Sequence, residues 1–341
     1  MLLSLVALKF AASKLLSGVV GRVFLLLSIA GPFVPLERIV PYRPKQRVFR
    51  TGLVVDLLHF FVDGLAIIVL VHISYAFLPA VTAWAGIHLP SLSVKRLPVW
   101  EQFVVFEASW TFLGYWLHRV GHAWGPWWRL HSIHESSLEL DWLAGFRLHP
   151  LEPWLYHLLT IVPLWFFQMS IPAVIAYQLY TYVLTHIQHA NVDLPMGPLK
   201  YLFPSPAFHR WHHAKIFDAS GKRIRNIKNF SAYPIWDLMF GTFYLPDERP
   251  LSYGNALDVP EDYLGQLAYP FGLHARVLAW KARFWARHPG LVRPSATARE
   301  RVLPLVDAFE SRVSRLALWP APASPASALG GINSSGIVQE E

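Results

Sequence analysis

The stretch from Leu53 to Leu78 constrains this chain more than any other, because it is apolar and long enough to cross the roughly 30 Å hydrocarbon core of a bilayer as one helix. Pro79 marks its end. In lipid a backbone satisfies its own polar groups only as helices or as a closed barrel, so such a span predicts helical partners around it. Composition agrees: 54% of the 341 residues are hydrophobic and 15% aromatic. Asp56, His59 and Asp63 fall near one face of the span, which predicts that they point into a bundle and pair there.

A second span is expected from Val99 to about Leu117, delivering His118 to the membrane surface. Trp154 to Met169 and Ile171 to Leu184 read as a helical hairpin with Pro172 at the turn, which returns the chain at about His186. Arg38, Arg43, Lys45, Arg47 and Arg50 precede the first span, whereas the next loop carries only Lys95 and Arg96. By the positive-inside rule the former side is cytoplasmic, and every histidine cluster then lies on that side. Residues 1–33 are expected to be helical and retained, crossing the bilayer or lying along it. Lys9, Lys14 and Arg22 interrupt their apolar run and no clear small-residue cleavage site follows.

The net charge of +8 comes without a run of lysines or a nucleic-acid motif, so it reads as attraction to anionic lipid head groups and not to nucleic acid. Cysteine is absent, which excludes disulfides, thiolate zinc sites, iron–sulfur clusters and a cysteine nucleophile. Histidine is conspicuous instead. Nine of the sixteen fall in four tight groups: His118 and His122 in HRVGH, His131 and His134 in HSIHE, His186 and His189 in HIQH, and His209, His212 and His213 in HRWHH. Imidazoles three or four residues apart on a helix face the same way, so each pair is expected to offer two nitrogens to one cation. The groups together predict a metal site, and nitrogen-rich sites suit iron, zinc, copper or nickel.

The run HRVGH, then HSIHESS, then HANVDLPMGPLKYLFPSPAFHRWHH, then KNFSAYPIWDLMFGTFYLP resembles the sterol desaturase and fatty acid hydroxylase superfamily in order, spacing and flanking residues. The similarity covers about residues 51–272. It implies an all-α integral membrane protein with a four-helix-type transmembrane core and a cytoplasmic histidine-rich metal-binding cap. It also implies two iron ions, O2 as co-substrate, and His118, His122, His131, His134, His209, His212 and His213 as ligands. His189 matches the additional ligand between the boxes, with His186 as its companion. The second box of the family usually reads HxxHH, and here Glu135 stands in the last position. Its carboxylate is read first as an iron ligand or bridge, as in soluble di-iron bundles, and otherwise as hydrogen-bonded support or the mark of a weakened site. His149 and Glu152 in RLHPLEP, with Asn229 and Asp237, are expected to support the ligands by hydrogen bonds. Trp236, Phe240 and Phe243 read as packing residues, and His59, His72, His88, His157, His274 and His288 as structural.

The expected organisation is an N-terminal apolar or amphipathic helix and basic loop over 1–50, a membrane catalytic domain over 51–272, a helical extension over 273–319 and a disordered tail over 320–341. The activity this implies is O2-dependent hydroxylation or desaturation of a lipid C–H bond: a sterol, a fatty acyl chain or a lipid head group. With no haem or flavin motif evident, electrons are expected from a separate reductase, ferredoxin or cytochrome. Two other classes compete: a zinc-dependent membrane hydrolase, disfavoured by the lack of HExxH and the excess of histidines, and a non-enzymatic metal- or haem-binding membrane protein.

Overall fold

The computed structural model describes residues 18–86, 91–217, 223–224, 228–255 and 257–287. The expectations for residues 1–17, His88, His288 and the tail from Pro320 lie outside them. Its helices are α1 (Val19–Ile39), α2 (Leu53–Trp84), α3 (Val99–Ala123), α4 (Gly125–His131), α5 (Leu151–Phe167), α6 (Ile171–His189), α7 (Pro206–His212), α8 (Pro234–Met239), α9 (Tyr263–Ala268) and α10 (His274–Arg287). Two two-residue strands, Ile216–Phe217 and Arg223–Ile224, pair antiparallel beyond α7. Apart from this small hairpin and short bridges, regular structure among the described residues is helical.

Helices α1 and α2 are long and apolar enough to cross a membrane by length and composition. Only 22% of the most apolar window in each is buried by the rest of the fold, so neither is the core helix of a soluble domain. Val62, Val69, Ile73, Phe77 and Val81 line the outside of α2. Helix α3 runs six residues past the expected span and so carries His118 and His122 on its last turns. The expected hairpin is α5 and α6: Gln168 takes a left-handed conformation after α5, Ser170 is extended, and Pro172 occupies the first turn of α6.

Asp56, His59 and Asp63 are buried as expected. Asp56 is gripped by Arg50 at 2.6 Å and Arg147 at 2.5 Å, and Arg50 also holds Asp141 at 2.5 Å. Two positively charged side chains thus tie the start of α2 to the loop before α5. Gly52, with φ of +87°, makes room for this, because a Cβ there would lie 2.5 Å from Nη2 of Arg147. His59 and Asp63 belong to a π-helical segment of α2, His59–Asp63, that sets the two side chains together.

Two apolar clusters fix the frame of the site. Phe106 of α3 packs with Met169, Ala173, Val174 and Tyr177 around the α5–α6 turn. At the other end, Ile29 and Phe33 of α1 pack on Trp142, Leu143, Ala190 and Val192. Helix α3 touches both α5 and α6, and α2 touches α5. The C-terminal ends of α3 and α6, the N-terminal end of α5 and all of α4 and α7 are thereby gathered into one region.

Candidate metal centre

Eight of the nine clustered histidines, with Glu135, form two buried groups. His118, His122, His131, Glu135 and His212 make the first; His134, His189, His209 and His213 make the second, and in each the candidate ligand atoms lie within 4.8 Å of one another. Two of the sequence pairs, His118 with His122 and His209 with His213, stay together in one group, whereas the pairs in HSIHE and HIQH do not. His131 ends α4 while His134 begins a 3-10 turn, so their rings diverge into different groups. Helix α7 likewise sends His212 to the first group and His209 and His213 to the second.

Local structure aims these rings. Ser205 caps α7, its Oγ accepting from Phe208 N at 3.2 Å, and Pro206 opens the helix. Five imidazoles donate from Nδ1 to outer acceptors: His118 to Phe230 O (2.6 Å), His131 to Glu152 Oε1 (2.7 Å), His134 to Arg147 O (3.2 Å), His189 to Thr185 O (2.8 Å) and His212 to Lys228 O (2.8 Å). Donation from Nδ1 leaves each Nε2 with a lone pair directed inward, the arrangement that orients metal-binding histidines.

The inward nitrogens meet one another. His118 and His131 approach Nε2 to Nε2 at 2.9 Å, His134 and His189 at 3.2 Å, His189 and His209 at 2.9 Å, and His209 and His213 at 3.0 Å. Lone pairs so placed repel unless a proton or a cation lies between them. Nε2 of His212 instead faces the carboxylate of Glu135, 2.8 Å from Oε1. The donor set of imidazoles and one carboxylate therefore fits a redox-active or Lewis-acidic cation in each group.

Glu135 lies between the groups. Its Oε1 is 2.8 Å from His212 Nε2 and 3.4 Å from His131 Nε2, while Oε2 is 3.3 Å from His213 Nδ1 of the other group. Burial disfavours its charge, but His213 and His212 outweigh it and hold the carboxyl well below the usual range. Burial and the neighbouring His213 hold His134 well below the usual imidazole range. Burial would lower His131 too, but Glu152 and Glu135 overcome it and push it up to about 10. An imidazole ligates only when neutral, so a metal held at His131 would have to displace that proton.

The four support residues divide. Glu152 touches His131 directly. Asn229 and Asp237 act through the backbone: Asn229 sits at φ +58°, a conformation asparagine tolerates, and its side chain bonds Phe208 O, Tyr244 O and Tyr244 N. Asp237 accepts from the amides of Phe230 and Ser231 at 2.8 and 2.9 Å. Together they hold the loop whose carbonyls, at Lys228 and Phe230, receive His212 and His118. His149 instead faces Leu267 O and the Leu151 amide. His186 is not brought to either group: its Nδ1 bonds Trp142 O at 3.0 Å and its ring lies against Phe33, Phe146 and Tyr182. Helical spacing alone would put it near the face of His189; it is the packing of Phe33, Phe146 and Tyr182 on its ring and the Trp142 carbonyl on Nδ1 that hold it apart from the ligand atoms.

The reading of the sequence missed two features. Gly145 lies so close to His189 that a Cβ would sit 3.2 Å from Nδ1. A cavity of about 600 Å³ between α3, α5 and α6 also opens onto His118, His131, His134, His189 and His209, with Glu107 in its wall. The signal for Glu107 was present, since eleven residues separate it from His118, about three turns on one helical face.

Comparison with known proteins agrees with this geometry. Residues 103–242 match the fatty acid hydroxylase family. Ornithine lipid hydroxylase OlsE of Rhizobium tropici is 33% identical over 164 residues, 48% of this chain and 48% of its own length. Alkylglycerol monooxygenase of Homo sapiens is 26% identical over 197 residues, 50% of this chain and 41% of its own. Very-long-chain aldehyde decarbonylase GL1-4 of Oryza sativa subsp. indica is 28% identical over 178 residues, 47% of this chain and 27% of its own. The chain thus spans less than half the length of each of these relatives. No solved structure matches it at the same stringency. Both histidine groups lie within the stretch that matches the fatty acid hydroxylase family, and the chain is similar to lipid hydroxylases and monooxygenases.

Proposed function

We propose that this chain is a multi-pass membrane oxidoreductase that uses two iron ions and O2 to hydroxylate or desaturate a C–H bond of a lipid. The observation that carries the reading is the pair of buried groups whose ring nitrogens face one another within the stretch that matches the fatty acid hydroxylase family. His118, His122, His131, Glu135 and His212 would hold one iron, and His134, His189, His209 and His213 the other. Glu135 reaches both groups, which supports a bridging role. When bound, the irons with O2 supply the oxidising power that no side chain has toward an unactivated alkyl carbon. Hydroxylation consumes one O2, two electrons and two protons and leaves an alcohol and one water; desaturation leaves an alkene and two waters.

The protein's own part is placement. Glu152 and the carbonyls of Phe230, Arg147, Thr185 and Lys228 hold the rings in one tautomer. The cavity keeps the lipid carbon beside the histidines, and Tyr115, Tyr156 and Tyr177 in its walls limit water. Helices α2, α3, α5 and α6 form the transmembrane core in this reading. The basic loop after α1 supports a cytoplasmic cap, because Arg43 reaches Pro250 O and Asn191, placing that loop on the histidine side. Electrons come from a separate donor. A zinc hydrolase would leave most of these ligands unused, and a bis-histidine haem site needs rings on opposite faces of a macrocycle, not converging fours.

The test compares lipids of cells expressing the wild-type chain with those expressing His212→Ala, by mass spectrometry and with iron measured per purified chain. An O2-dependent gain of about 16 mass units marks hydroxylation and a loss of about 2 marks desaturation. Zinc in place of iron, with no lipid product, overturns the proposal.

A further inference from the structure

We propose that Glu107 docks a second polar group of the lipid, a hydrogen-bond donor such as an amine or a hydroxyl, about 16 Å along the cavity from the carbon presented to the histidines. The inference deepens the function proposed above and rests on it. It arises from the walls of the cavity. Thr181 donates to Tyr177 O at 3.0 Å, Thr185 to Thr181 O at 2.9 Å, Thr111 to Glu107 O at 2.7 Å and Thr160 to Tyr156 O at 2.7 Å, so these four hydroxyls are engaged within their own helices.

The carboxylate of Glu107 is not engaged in this way. The residue is 7% exposed, it lines the cavity, and neither Oε1 nor Oε2 has a hydrogen-bond partner of standard geometry. The Tyr233 hydroxyl bears on it but is shared with Tyr180. Burying a carboxylate without donors is strongly disfavoured. An apolar residue at position 107 would pack against Phe103 and Trp110 without that cost. A carboxylate aimed into a lipid-sized cavity is explained when a donor on the ligand completes it.

The spacing makes Glu107 a ruler. On α3 the eleven residues from Glu107 to His118 rise about 16 Å and return to nearly the same face, so a chain lying along this face meets the carboxylate at one end and the histidines at the other. Glu107 is thereby a specificity residue: it selects lipids with a donor at that distance and sets which carbon reaches the metal groups.

The test measures equilibrium binding of radiolabelled dodecylamine, 1-dodecanol and dodecane to the full chain in nanodiscs, with empty nanodiscs subtracted and iron per chain measured in each sample. Wild type should bind the amine, the alcohol or both at least about tenfold tighter than the alkane, the loss expected when one hydrogen bond to a charged group is absent. A preference for the amine identifies charge pairing, and equal preference for the alcohol identifies a neutral donor. Glu107→Leu should erase the preference while iron per chain stays at the wild-type level. Glu107→Met keeps the test decisive where leucine is not accommodated. Equal binding of all three probes by wild type, or a preference that survives in the apolar variant, overturns the proposal. Binding needs neither O2 nor turnover, so its failure is distinguishable from failure of the oxidative reading.

Discussion

Two kinds of buried histidine network stand side by side in this molecule, and they obey opposite rules. Around His59 every polar group is answered: Nδ1 meets Asp63 at 2.5 Å, Nε2 meets Gln266 Oε1 at 2.7 Å, Tyr263 donates to Asp63 at 2.6 Å, and Gln266 Nε2 donates to Pro260 O at 2.8 Å. In the two larger groups Nδ1 of His118, His131, His134, His189 and His212 is equally well answered, but the inner nitrogens face one another or the carboxylate of Glu135. Burial and histidine content are shared. What separates a structural tie from a candidate ligand set is the direction in which satisfaction stops.

The difference is most sharply broken by removing an inward nitrogen. His134→Ala or His212→Ala should lower iron-dependent lipid oxidation by at least about a hundredfold and reduce iron per chain, because each deletes a ligand without altering an apolar span. Membrane insertion, read by fractionation, should be unchanged. Normal turnover with normal iron in either variant would remove that residue from the ligand set.

Glu135 tests the seam between the groups, with a smaller expected effect. Glu135→Gln keeps the shape but loses the anion, so iron per chain and activity should both fall, by about tenfold in metal affinity. Glu135→His supplies a nitrogen at the same place and should retain metal and partial turnover. Iron near two per chain with full activity in Glu135→Gln would leave a site built from histidines alone.

The least effect on iron is expected at the answered network. Asp63→Asn removes the charge beside His59 and should cost about 3 kcal/mol of stability, as breaking a buried pair does. Iron per folded chain should stay at the wild-type level. A loss of iron without a loss of thermal stability would show that the His59 cluster belongs functionally with the other two and would dissolve the distinction.

Much of the site was legible because its signals are local. The spacing in HRVGH puts His118 and His122 on one face of α3, and both reach the first group. The apolar run after Leu53 became α2, with Asp56, His59 and Asp63 turned inward. His186 and His149 show where such signals fail: each sits beside true group members or within a suggestive motif, yet the elements packed against it supply other partners.

By itself the sequence determined that this chain forms apolar helices, that its histidines come in pairs at helical spacing, and that Glu135 stands beside them. Those are properties of neighbours along the chain, set by helix geometry and hydropathy. Only the tertiary structure decided that His131 and His134 part company, that His212 crosses to join His118, that Glu135 lies between the groups, and that Glu107 shares a cavity with them. A ligand set closes through elements distant in sequence, and their relative placement follows from long-range packing of α1 on the cap and of α3 on α5 and α6, which no local spacing encodes.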